Sequence, residues 1–274
     1  MARYYEIVYG STINLDFPTR AAYSVNKRWF QDFILGGGRD KKAYGLTQIT
    51  PSLTTAYDVN GINLLQYVLG SAGAPSTVSA HTLTALSTIH EIDQRVSVDG
   101  EHFELQDAKI DTWEIVVETG EPVKAEFTSV GKSTTGTSAS VFDPNFNNMP
   151  LVRSDCSLYV NGVENTDFIR FALNINNNIE PIFKTSTTPD TIRLQGLDIT
   201  GRIRAYKYSE FVAQGSWDIC FGSLGSITLH TVNVLEVPPS VSGYDLPEVE
   251  LAFTAFPTEE TVALTAYLVA NKPW

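Results

Sequence analysis

One stretch limits what this chain can fold into more than any other: residues 109–130, KIDTWEIVVETGEPVKAEFTSV. Two runs flank a Thr119-Gly120-Glu121-Pro122 turn. In the second run Val123, Ala125 and Phe127 alternate with Lys124, Glu126 and Thr128; in the first, Trp113, Ile115 and Val117 lie opposite Thr112, Glu114, Val116 and Glu118. A period of two with one apolar and one polar face requires a hairpin that rests one side on a core and turns the other to water. The design returns at residues 249–269, where Val249, Leu251 and Phe253 oppose Glu250, Ala252 and Thr254. A Pro257-Thr258-Glu259-Glu260 turn then leads into Val262, Leu264, Ala266 and Leu268. A hairpin repeated about half a chain apart points to internal duplication.

The rest of the chain supports a mainly β reading in two halves. Ile13, Leu15 and Phe17 alternate before Pro18, and Ile169, Phe171, Leu173 and Ile175 alternate against Arg170, Ala172 and Asn174, with a turn at Asn176-Asn177-Asn178. A short helix is predicted after Asp58-Val59-Asn60, with Ile62, Leu65, Val68 and Leu69 on one face and Gly70 as its stop. Residues 49–71 run in the same order of elements as residues 199–223, and a strand and hairpin follow each, which predicts a second short helix after Tyr206. The polar, small-residue stretch 131–140 reads as a linker. The expected division is a first domain over 1–131, a linker over 132–154 and a second domain over 155–274.

Residues 26–45 depart from this pattern. Trp29 and Phe33 sit among apolar neighbours, then come three glycines, then Arg39, Lys41 and Lys42. Triple glycine is costly to order, so this segment is either a surface loop or an arm that orders on a neighbouring subunit, with apolar anchors and a basic tip.

Charge and motif content exclude most chemistry. With 31 acidic against 19 basic residues the formal charge is −12, which opposes wrapping nucleic acid through phosphate neutralisation. Two cysteines, Cys156 and Cys220, make neither a disulfide framework nor a metal site and read as buried thiols in a reducing compartment. Gly131-Lys132-Ser133 resembles the end of a phosphate-binding loop, but Glu126 stands where its first glycine is needed. Gly36-Gly37-Gly38 has Lys41 at the third glycine position of a dinucleotide turn. His81, His90, His102 and His230 show no metal-ligand spacing. No catalytic residue, metal or cofactor is expected, nor is a signal peptide or a membrane-spanning segment.

Three phrases carry a family resemblance: INLLQYVLGS at 62–71, HTLTALSTIHEID at 81–93, and AKIDTWEIVVETGEPVKAEFTSVGKS at 108–133. In these the chain resembles the major tail tube protein of a tailed virus, bacteriophage or archaeal. The resemblance implies tandem β-sandwich or barrel domains, each with a flanking short helix, whose hairpins join those of neighbouring subunits in a β-barrel around a lumen. Such rings stack into a tube that conducts viral DNA into the host. Six tube domains per ring is the arrangement implied, hence a trimer with pseudo-sixfold symmetry if the chain carries two, or a hexamer if it carries one. Other implied partners are tape-measure, tail terminator and baseplate proteins, with assembly in the host cytoplasm and residence in the virion tail. On the faces read above, Glu114, Glu118, Glu126, Glu250, Glu259 and Glu260 are the candidate lumen acids, and Trp29, Phe33, Arg39, Lys41 and Lys42 the candidate inter-ring contacts. The competing readings are a β-sandwich binding or adhesion module, with Trp29, Trp113, Trp217 and Trp274 as possible platform residues, and another virion part such as a sheath, decoration or baseplate subunit.

Overall fold

The computed structural model of the chain describes residues 4–9, 11–14, 18–33, 42–62, 64–70, 81–84, 89–98, 101–136, 149–206, 211, 214–235, 248–257 and 262–268. These are mainly β: a network of seventeen strands and a separate two-stranded hairpin. The first half runs β1 (Tyr4–Tyr9), β2 (Ser11–Asn14), β3 (Pro18–Phe33), β4 (Lys42–Asp58), α1 (Leu65–Leu69), β5 (His81–Thr84), β6 (Ile92–Val98), β7 (Glu101–Glu118), β8 (Lys124–Val130) and β9 (Ser133–Gly136). The second runs β10 (Cys156–Val160), β11 (Val163–Asn165), β12 (Phe168–Asn176), β13 (Ile179–Ile182), β14 (Thr191–Leu194), β15 (Asp198–Ala205), β16 (Gly215–Phe221), β17 (Gly225–Val234), β18 (Val249–Ala255) and β19 (Leu264–Leu268).

The expected hairpin is present as β7 and β8, with Gly120 at φ 85° supplying the turn. Trp113, Ile115, Val117, Ala125 and Phe127 are buried and the alternate residues face out, as the period of two requires. Both outer edges of this hairpin are occupied within the chain. β4 lies along β8, and β12 lies along β7 with Glu118 opposite Arg170 and Thr112 opposite Asn176. The hairpin therefore does not wait for a neighbour to satisfy its backbone, and the sequence expectation on that point is corrected. The sheet that results runs β3-β4-β8-β7-β12-β15-β18 and spans both halves.

The second expected hairpin is also corrected. β18 and β19 do not pair with each other among the described residues; both lie against β17. β19 lies opposite its residues 225–229 and β18 opposite 232–234. Alternation names the face a residue presents but not its partner strand, and β17 is long enough to take two partners in succession.

β7 works the same way at greater length. Its first part pairs with β6 and β9, and from Lys109 onward it pairs with β8. Asp107 makes the corner with φ 48°, its N–H donating to Asp93 Oδ1 at 2.9 Å. Across the corner Gly131 lies so close that a Cβ would stand 2.5 Å from Leu105 Cδ1. The stretch read as a linker thus begins with sheet structure. Within 132–154, β9 pairs with β7 and Arg153–Asp155 forms a 3-10 turn; residues 137–148 lie outside the described residues.

The core lies on the inner face of the long sheet. Trp217 and Phe253 rings meet at 4.7 Å between centroids, Phe171 and Phe253 stack at 5.7 Å, and Tyr57 meets Phe127 edge-on at 6.1 Å. The helix is only five residues long and buried on every side, with Leu64 rather than the Asp58-Val59-Asn60 segment at its start and Gly70 at φ 84° ending it. Buried Asn177, from the turn after β12, donates through Nδ2 to the carbonyls of Val68 and Ile110 at 2.9 Å each, tying the second half to α1 and β7. The helix expected after Tyr206 falls largely outside the described residues. β3 and β4 continue as a two-stranded ribbon to Phe33 and Lys42, well beyond the last β4–β8 pair at Ser52. The irregular segment expected at 26–45 is thus ribbon on both flanks, and 34–41 lie outside the described residues.

Candidate functional site

The outer face of the long sheet is the surface that could meet solvent or a passing molecule. Register across six strands sets its rows. One reads Ala56, Glu126, Glu114, Asn174, Thr200, Thr254; the next reads Asp58, Lys124, Val116, Ala172, Arg202, Ala252. A third, over four strands, reads Glu118, Arg170, Arg204, Glu250. The face is continuous across the two halves because β12 joins β7 edge to edge. A depression of about 430 Å³ opens on it, lined among others by Glu114, Arg170, Asn174 and Arg202, with Ala172 and Ala252 between them.

Glu114, Glu118, Glu126 and Glu250 all stand on this face, as their alternation predicts. What the sequence reading did not supply is their partners. Glu118 takes Arg204 Nη2 at 2.8 Å and Arg170 Nε at 3.5 Å, and Arg204 Nε also reaches Glu248 at 3.6 Å. Glu126 takes Arg20 Nη2 at 2.5 Å and Glu250 takes Arg202 Nη1 at 3.1 Å. Glu114 has no ion pair among the described residues and faces Glu126 directly across the β7–β8 ladder. The face is a lattice of alternating charge with local acidic excess, not a uniformly acidic wall. A signal for the arginines was present: Arg170 falls on the polar face of β12, and Arg202 and Arg204 flank inward Ile203. Their pairing across strands far apart in sequence was not readable.

Glu259 and Glu260 lie outside the described residues, as do Arg39 and Lys41. Trp29 and Phe33 are in β3 and Lys42 begins β4, so the backbone of the proposed arm is a ribbon at these positions. Along this projecting part, Ile49 N–H donates to the carbonyl of Thr187, in the connection between β13 and β14, at 2.6 Å.

Other candidates resolve more simply. Trp113 and Trp217 are fully buried, so neither can serve as a binding platform. Of the two thiols expected to be buried, Cys156 is, and burial pushes its pKa up to about 12; Cys220 is only half-buried. No helix among the described residues is long and apolar enough to cross a membrane.

A family model described as phage tail tube protein matches residues 25–215, more than half of the chain. The match runs from the β3–β4 ribbon through β7, β8 and the β7–β12 joint to the start of β16. A search of curated proteins finds none that matches. By that match, and with a long antiparallel sheet that buries one face and presents the other, the chain belongs to the phage tail tube protein family and is a structural component of the viral tail.

Proposed function

We propose that copies of this chain assemble into stacked rings, with the outer face of the long sheet turned toward a lumen through which viral DNA leaves for the host. The observation that carries this reading is the one-sided sheet itself: six strands present one continuous outward face that carries the Glu, Arg, Lys, Asn and Thr side chains, interspersed with Val116, Ala172 and Ala252, while their alternate residues fill the core. A wall of that kind suits a water-filled channel. Its arginines each face a glutamate, Glu118, Glu126 or Glu250, which offsets their charge and weakens the counterion displacement from phosphate that is the usual source of tight binding to DNA. Glu114 leaves the wall slightly repulsive to phosphate, and Glu259 and Glu260 are assigned to its rim. DNA then slides without adhering.

The β3–β4 ribbon is the proposed inter-ring arm, with Trp29 and Phe33 as anchors and Arg39, Lys41 and Lys42 at the basic tip, set against the acidic balance of the chain. Tape-measure, terminator and baseplate proteins would meet the tube inside and at its ends, with assembly in the host cytoplasm.

Electron microscopy of the purified protein tests the reading. Tubes whose reconstruction puts Glu114 and Glu118 on the inner wall are expected; the same residues on the outside of a tube would refute it. Deleting residues 36–42 should leave rings but shorten or abolish stacks, and tubes of normal length from that variant would remove the arm assignment.

A further inference from the structure

The β13–β14 hairpin belongs to the second half in sequence but is fastened to the first. At its root, Asp111 is the extra residue of a bulge in β7, since Ile110 lies opposite Ser129 and Thr112 opposite Thr128. The Asp111 carbonyl accepts from Asn177 N–H at 2.7 Å, and its carboxylate accepts from Ile179 N–H at 3.0 Å. Along β14, Lys109 Nζ donates to the carbonyl of Ile192 at 2.8 Å. Ile192 is fully buried yet stands apart from the main core, and Pro189 in the connection is buried as well. At the tip, Thr188 N–H donates to Ser186 Oγ at 3.0 Å and Lys184 meets Asp190 at 2.6 Å, so the connection is shaped from within. Its outermost tie is the carbonyl of Thr187, which takes the N–H of Ile49 at 2.6 Å.

That bond falls where the β3–β4 ribbon leaves the sheet. β8 accompanies β4 only as far as Ser52, and Gly131 N–H then donates to the carbonyl of Pro51 at 3.0 Å. Adjacent residues of a strand direct their backbone groups to opposite sides, so Ile49, two positions further out, turns its N–H to that same edge, away from β3. Two positions beyond, Thr47 is the extra residue of a second bulge: Arg28 lies opposite Gln48 and Trp29 opposite Leu46. Thr47 Oγ1 closes it by donating to the carbonyl of Arg28 at 2.8 Å. A bulge bends its strand and sharpens the local twist. Support, tie and bend thus follow one another over residues 47–51. Among the described residues, no other backbone hydrogen bond joins β4 outward of Pro51 to the rest of the fold.

We infer that the β13–β14 connection is a clip that sets the direction in which the β3–β4 ribbon projects, so that the second half of the chain aims an element of the first. With the clip closed, the ribbon leaves the body at one angle. With it open, the ribbon swings about residues 49–51 while its own ladder stays intact, because that ladder does not use the Ile49 N–H. The benefit to assembly rests on the tube reading: an arm already held at its docking angle loses less freedom on meeting a neighbour.

Electron–electron resonance distances between nitroxide labels test the clip. The labels go on R28C in the ribbon and E121C in the β7–β8 turn, both exposed positions, in a C220S chain whose remaining thiol, Cys156, is buried. One narrow distance distribution is expected. I49P removes the N–H that reaches Thr187 and no donor of the β3–β4 ladder, so it should broaden the distribution roughly twofold while circular dichroism stays unchanged. Replacing residues 185–188 by an Asn-Gly turn removes the Thr187 carbonyl without touching the ribbon and should broaden it equally. A broad distribution without either change, or a narrow one in either variant once folded, would overturn the inference. Wild-type chains that stay dispersed at high concentration would remove the tube reading, while the distances would still decide the clip.

Discussion

Replacing Asn177 probes the joint between the halves most directly. Its amide is buried at 2 % exposure and donates to two carbonyls, Val68 in α1 and Ile110 in β7, both at 2.9 Å. N177A removes both donors and leaves two acceptors in a dry site. A net hydrogen bond contributes about 1 kcal/mol, and an orphaned buried group costs about 1–3 kcal/mol, so a loss of roughly 2–4 kcal/mol is expected. N177D should be worse, because a carboxylate would direct lone pairs at two carbonyl oxygens. Its folded-state pKa would be raised. The extra cost is thus fully present above that value and disappears as pH falls below the unfolded carboxylate pKa of about 3.9, where the protonated acid regains one donor. Urea unfolding of wild type, N177A and N177D at pH 7 and near pH 4 measures this. A loss under ~1 kcal/mol for N177A, or a gap between N177D and N177A that does not narrow in acid, would refute the reasoning.

Three further outcomes are expected. G201A should cost about 2–3 kcal/mol in thermal unfolding, since a Cβ there would stand 2.2 Å from Phe253 Cζ and 2.4 Å from the backbone oxygen of Ala172; near-neutral behaviour would mean the sheet can open at that point. E114Q should raise stability by roughly 0.2–1 kcal/mol at low salt, with the gain shrinking as salt is added, because Glu114 directly opposes Glu126; a loss would reveal a favourable partner for Glu114. Burial opposes ionisation of Glu104, but hydrogen bonds from Arg95 and Gln106 outweigh it and hold the pKa below the ordinary value. Its contribution is therefore present above the unfolded carboxylate pKa and lost as pH falls through the folded one. E104Q should cost roughly 1–3 kcal/mol at pH 7 and flatten the acid limb of the stability profile, and an unchanged limb would count against it.

The faces of β7, β8 and β12 were legible because each is half-buried, so Trp113, Ile115 and Val117 or Phe171, Leu173 and Ile175 recur at a spacing that only a strand can use. Neighbours were not legible. Nothing in the sequence around Leu264 says that it lies opposite Leu229 rather than across a turn from β18. The same limit governed the charged face: Glu118 meets Arg204 across 86 positions of sequence, so composition suggested a surplus of acid where the fold supplies counter-charges. The helix was placed correctly but its cap was not, since Asp58 is spent as the last residue of β4.

The long strand β7 belongs to two layers at once, locked to β6 and β9 before the bend at Asp107 and to β8 and β12 after it. A tensile load applied along it is shared as shear by ladders in both layers, so neither can unzip while the other stays slack. The chain should therefore yield in one step under traction, as a stiff hoop segment does.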